Sequence, residues 1–199
     1  MDSVIHDRKV LLAVAGQYGT PPFDVWHGGG VFSSRTVPKR HPLFKALLDM
    51  NEQVITACGI QQGVNHVEFL GLGDRVYFLE IGARVAGSNL DRLTTASTGL
   101  DLFLESARLE LDLLDGGYKL PKTFRKEAGI VLCLSRDKDP CTSFCDDYPE
   151  VVWTLNHDHH AGCVVASPNS GRVDELVAAI RENLARDHLA VLPAADTPG

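Results

Sequence analysis

The chain has 199 residues, 44% of them hydrophobic, and carries 26 acidic against 19 basic side chains for a net charge of −7. That length supplies one or two domains with a real core, and the acidic balance without a basic stripe disfavours nucleic acid as a partner. No apolar run approaches the roughly 18 residues of a membrane span, and the polar start (Asp2, His6, Asp7, Arg8) is no signal peptide. Residues 9–15 read as a buried strand from their apolar run. Residues 16–39 are loop-rich, with Pro21 and Pro22 adjacent and three glycines at 28–30, and read as a lid or substrate wall. Pro42 opens a helix in which Leu43, Phe44, Ala46, Leu47, Met50, Val54 and Cys58 recur near a 3.6 period, a core stripe against a sheet.

Residues 64–70 and 75–81 are rich in β-branched and aromatic side chains, and glycines at 71 and 73 lie between them, so they read as a β-hairpin. With the loop centred on Asp74, residues whose numbers sum to 148 face each other: Leu70 faces Phe78 and Glu68 faces Glu80. Directly opposed side chains have Cβ atoms roughly 4.5–5.5 Å apart, and like charges there repel. Two carboxylates so placed share a proton or, better, a cation. A slipped register, with the glutamates turned to solvent, is the competing arrangement. Arg84, four residues beyond Glu80, ends the strand in the small-residue run 82–89, where a ligand can approach the backbone closely. Two carboxylates for a divalent ion and an arginine for phosphate oxygens point to nucleotide–metal chemistry. His66 lies on the face of Glu68, where it contacts a phosphate or substrate or else is a satisfied core histidine.

A second helix is expected over residues 100–115, capped by Ser97 or Thr98 and ended by Gly116 and Gly117. Residues 121–126 read as a linker. Beyond them, residues 128–135, 151–156 and 162–166 read as strands, and 173–187 as a helix with Val173, Leu176, Val177, Ile180 and Leu184 inward. Residues 156–160 crowd three histidines and an aspartate together as a metal cluster would. The preferred reading is a polar hairpin loop, because alternating residues point to opposite faces. Cys141 and Cys145 have three residues between them, the wrong spacing for a redox pair, and a zinc site is not expected. An odd count of five cysteines, mostly in apolar contexts, reads as reduced thiols in a cytoplasmic protein. Lys39 and Arg40 read as solvated loop charges, with contact to substrate carboxylates as the alternative.

The hairpin, with His66, Glu68 and Leu70 on its first strand and Glu80 and Arg84 following the turn, resembles the metal-binding hairpin of the ATP-grasp superfamily, which includes biotin carboxylase and D-alanine–D-alanine ligase. The family pattern is an acidic residue, about a dozen positions, then Glu-x-Asn-x-Arg. Residues 2–10, 57–63 and 96–102 are similar to the flanking segments of that fold. The likeness covers residues 1–115 and extends more loosely to 190. It implies an α+β fold in which an antiparallel sheet with packed helices, the large lobe (1–118), precedes a smaller α+β module (119–192) and a disordered tail (193–199). It also implies that Glu68 and Glu80 hold Mg²⁺, with Mn²⁺ as the alternative, bridging the phosphates of ATP. Leu70 would pack against adenine, and Arg84 would steady the transferred phosphoryl group. Gly82 stands where the pattern has asparagine, and Asn89 is the amide able to take its place.

The expected function is the ATP- and Mg²⁺-binding portion of a ligase that activates a small-molecule carboxylate as an acyl phosphate for an amine or similar nucleophile. A complete enzyme of the family places a substrate domain and a small lobe before this point, so a second chain or an N-terminal region is expected to supply them. The alternatives are a nucleotide-binding remnant without turnover and a structural partner that uses the sheet only as an interface.

Overall fold

The computed structural model describes residues 1–155 and 157–190. The expected disordered tail, the end of the expected C-terminal module and Asn156 lie outside them. Strands β1 (Asp2–His6) and β2 (Lys9–Val14) form a hairpin turning on Asp7 and Arg8, both in the left-handed region (φ 48° and 64°). They join β5 (Gly63–Leu72) and β6 (Arg75–Gly82) in an antiparallel sheet of order β2-β1-β5-β6. A second antiparallel sheet, order β3-β4-β7-β9-β8, is built from β3 (Gly16–Tyr18), β4 (Phe32–Thr36), β7 (Glu127–Leu134), β8 (Val151–Thr154) and β9 (His160–Ser167). The fold is α+β, as expected. The second sheet takes strands from both sides of the boundary expected at residue 118.

The period of two in β1 sorts its neighbours. Val4 packs with Val64 against Leu102 and Leu109 of helix α4 (Leu102–Asp115). Ser3, pointing the other way, accepts a hydrogen bond from Asn51 Nδ2 (2.9 Å) on helix α2 (Phe44–Ala57), whose buried residues are Asn51, Val54 and Ile55. The first sheet therefore has α2 on one face and α4 on the other. Helix α3 (Leu90–Thr98) lies between the two sheets. Its Leu90 and Leu93 pack on Ala128, Ile130 and Val164 of the second sheet, and Thr94 Oγ1 donates to Asp2 Oδ2 (3.2 Å) of the first. Helix α5 (Ser170–Asp187) covers the far face of the second sheet with Val173, Leu176, Ile180 and Leu184, as the periodicity predicts. A Cβ on Gly129 would stand 2.4 Å from Val177 Cγ2, so this helix sits close on β7 only because that position has no side chain.

Several expectations are corrected. Residues 9–14 form a half-exposed edge strand, because β2 has a neighbour on one side only. Residues 16–39, expected to be rich in loop, hold two strands and the short helix α1 (Pro22–Gly28). The hairpin register holds for Glu68 opposite Glu80, but a bulge between Glu68 and Phe69 shifts the outer part, so Leu70 faces Tyr77 and Phe78 faces Phe69. Ser97 and Thr98 close α3, and the cap of α4 is Asp101, whose carboxylate accepts from the amides of Phe103 and Leu104. Residues 157–160 do form a hairpin loop, yet an antiparallel bridge pairs His157 with His160 and sets them on the same face. Among the described residues no helix is long and apolar enough to cross a membrane.

Candidate functional site

Glu68 and Glu80 are cross-strand partners and therefore share one face of the first sheet. This is the face of Val64 and Val4, toward α3 and α4. Glu68 is partly buried and its contacts are specific. Tyr18, from β3 of the other sheet, donates its hydroxyl to Glu68 Oε1 at 2.6 Å. His66 Nε2 lies 3.4 Å from the same oxygen, while its Nδ1 is 2.6 Å from Asp2 Oδ1. Asp2 is buried and is held in turn by Thr94. Burial first, and then the bond to Glu68, push the Tyr18 hydroxyl well above its ordinary pKa, so it stays a proton donor. One oxygen of Glu68 is thus engaged by Tyr18 and His66, which leaves the other for a ligand.

Glu80, on the outer strand, is exposed. Among the described residues no lysine or arginine forms an ion pair with Glu68 or Glu80. Arg84 folds back over the end of the hairpin: a Cβ on Gly82 would lie 3.4 Å from its Cγ and 3.5 Å from its Nε. Its Nη1 donates to the Val85 carbonyl at 2.9 Å. Gly82 is the cross-strand partner of His66, so Arg84 lies at the same end of the sheet as the carboxylates. Asn89 sits at the N-terminus of α3 in the left-handed region (φ 56°), and its side chain makes no cap bond.

A cleft of about 520 Å³ opens beside Glu68 and His66, walled by Tyr18 and Phe23 and, on the hairpin, by Leu70 and Leu79. Leu70 is 56% exposed and Leu79 52%, an apolar surface left uncovered at the mouth of a polar site. A second cleft of about 330 Å³, with Lys39, Arg125 and Lys126 on its walls, contains none of the expected site residues. Tyr18, Asp2 and Thr94 were not among the residues that the sequence singled out. Asp2 could have been found once β1 was recognised as the neighbour of β5, since it pairs with His66. Nothing local marks Tyr18.

No model of a known protein family matches the sequence, and no curated protein does. Solved structures do match. An L-amino acid ligase from Bacillus licheniformis superposes with a TM-score of 0.64 at 18% identity, over 91% of this chain and 51% of its own. Glycinamide-RNase-transformylase T from Mycobacterium tuberculosis gives 0.62 at 20%, over 94% and 52%. A carboxyaminoimidazole ribonucleotide synthase from Aspergillus clavatus, complexed with ATP, gives 0.68 at 16%, over 94% and 50%. The chain spans about half the length of each. Its fold is that of the matched half of these three proteins.

Proposed function

We propose that this chain is the metal- and phosphate-handling portion of an ATP-dependent ligase that activates a small-molecule carboxylate for attack by an amine or similar nucleophile. The observation that carries the reading is the pairing of Glu68 with Glu80 on one sheet face, with no lysine or arginine bound to either among the described residues. Opposed carboxylates repel, and a divalent cation would offset that repulsion. The donors suit Mg²⁺ or Mn²⁺, which take oxygen ligands and keep waters and phosphate oxygens in the remaining positions. When bound, Mg²⁺·ATP supplies the phosphoryl group that activates the carboxylate.

The side chains divide the work. Glu68 and Glu80 would hold the cation, and the Tyr18 and His66 contacts fix the rotamer of Glu68 beforehand. Arg84 supplies a planar, permanently charged donor set for phosphoryl oxygens. Leu70 and Leu79 offer the cleft an apolar wall suited to a base. Asn89, beside the small-residue loop, is the candidate for the amide oxygen that Gly82 does not provide. The remaining nucleotide and substrate contacts are assigned to the half of the matched structures that this chain does not span, carried in the same polypeptide or by a partner. Free thiols at all five cysteines fit a reducing compartment such as the cytoplasm.

The test is thermal. Mg²⁺·ATP raises the melting temperature of the chain, and Glu80→Gln abolishes the rise without unfolding the protein, because Glu80 is exposed. Identical melting curves with and without nucleotide would remove the reading. Gly82 favours one alternative, a remnant that binds nucleotide without turning it over; a nucleotide-induced shift without phosphate release, after the missing half is supplied, would establish it.

A further inference from the structure

The hairpin joining β8 to β9, in the other sheet from the carboxylates, carries a second cluster of ligating atoms. The bridge between His157 and His160 brings their Nδ1 atoms to 3.2 Å, with the rings nearly perpendicular at 86°. The Asp158 carbonyl oxygen lies 3.0 Å from His157 Nδ1 and 2.7 Å from His160 Nδ1. Three donor atoms from one tight turn therefore form a triangle with edges between 2.7 and 3.2 Å. A first-row transition ion binds imidazole nitrogen at about 2.0–2.1 Å. Two nitrogens at the observed spacing would then subtend an angle of roughly 100° at the ion, within the range that such ions accept.

The turn is held in place from outside. His159 adopts φ 58°, an uncommon conformation for a residue with a side chain, and backbone bonds on both sides of it sustain the geometry. Its amide donates to the Lys138 carbonyl (2.9 Å) and its carbonyl accepts from the Ser135 amide (2.7 Å). Lys138 Nζ also lies 3.5 Å from Asp158 Oδ2. His157 is exposed and His160 half-exposed, so an ion can reach them. Among the described residues no group of three or more His, Cys, Asp or Glu side chains could hold a metal, so the donor set is two imidazoles and a carbonyl. That set leaves open positions for water, suits the tetragonal nitrogen–oxygen geometry of Cu²⁺ and Ni²⁺, and offers Mg²⁺, which prefers oxygen, only one protein ligand.

We propose that His157, His160 and the Asp158 carbonyl form a surface binding site for a borderline divalent transition ion, Cu²⁺ most strongly, independent of the carboxylate pair on the other sheet. Titration of the whole chain with Cu²⁺, followed by calorimetry and electron paramagnetic resonance, tests it. One equivalent binds with hyperfine coupling from two nitrogens, and saturating Mg²⁺ does not displace it. His157→Ala or His160→Ala weakens binding by about tenfold or more. His159→Asn, which keeps the left-handed turn and lies outside the donor triangle, changes affinity by less than about twofold. A parent spectrum without two nitrogen ligands overturns the proposal, whatever the variants do. So does an unchanged titration in the doubly substituted protein.

Discussion

Tyr18 is the side chain through which the second sheet touches the chemistry of the first. Its hydroxyl is 2.6 Å from Glu68, and its ring packs on Phe32 with centroids 5.7 Å apart, so Tyr18→Phe removes the bond and keeps the packing. Loss of one such contact behind a metal ligand is expected to weaken Mg²⁺·ATP about 3–10-fold and to lower the stability of the free chain by about 1 kcal/mol. Calorimetric titration and denaturant melts measure the two separately, and a variant that changes stability but not affinity would make the bond from Tyr18 to Glu68 a structural one only. Glu68 and Glu80 were legible in the sequence because a strand alternates with period two and a short turn fixes which residues oppose. Tyr18 was not, since it lies 50 residues from Glu68 in a segment whose prolines and glycines read as loop. The bulge beside Glu68 was equally hidden: beyond it Phe69 and Leu70 meet Phe78 and Tyr77, all apolar, so composition does not show where one residue is gained.

At the level of elements, the helices show what pattern can reach. The stripe of α5 was legible because the helix has one apolar face and one wet face; that of α2 was legible only in part, since Asn51 and Ile55 are buried and Cys58, expected in the stripe, is exposed. Helix α3 escaped notice because it is covered on both sides and is rich in threonine and serine. All of those hydroxyls but that of Thr94 are satisfied within the helix: Ser97 and Thr98 donate to the Thr94 carbonyl at 3.1 and 2.7 Å, and Thr95 to that of Asp91 at 3.1 Å. Residues that look like caps are therefore interior, and the working cap of the next helix is Asp101. Asp101→Ala leaves two amides of the first turn of α4 without their acceptor. It should cost about 1 kcal/mol and lower the melting temperature by about 2–4 °C in a chain of this size. An unchanged melting temperature would show that α4 is held by packing alone.

For the whole molecule, two carboxyls link stability to pH. The bond from His6 holds Asp112 below its usual pKa, and the bond from Arg172 does the same for Glu150. Each has a folded-state value below its unfolded one. Its contribution is therefore complete above the ordinary carboxylate range near pH 4 and disappears as the pH falls through the depressed values. Melting temperatures should be insensitive to these groups between pH 5 and 7 and fall below about pH 4. In the doubly substituted Asp112→Asn, Glu150→Gln chain that acid decline should be shallower. Parallel declines in parent and variant would assign acid sensitivity to other carboxylates.

Helix α3, wedged between both sheets, sets a rule for anyone seeking a minimal fragment that keeps the proposed nucleotide site. A piece ending before β7 would strip the cover from Leu90 and Leu93 and leave β4 without its inner neighbour, so Tyr18 would no longer be aimed at Glu68. The hairpin of Glu68 and Glu80 cannot be grafted alone with its Tyr18 contact intact; whatever scaffold receives it must bring a replacement for the far sheet as well.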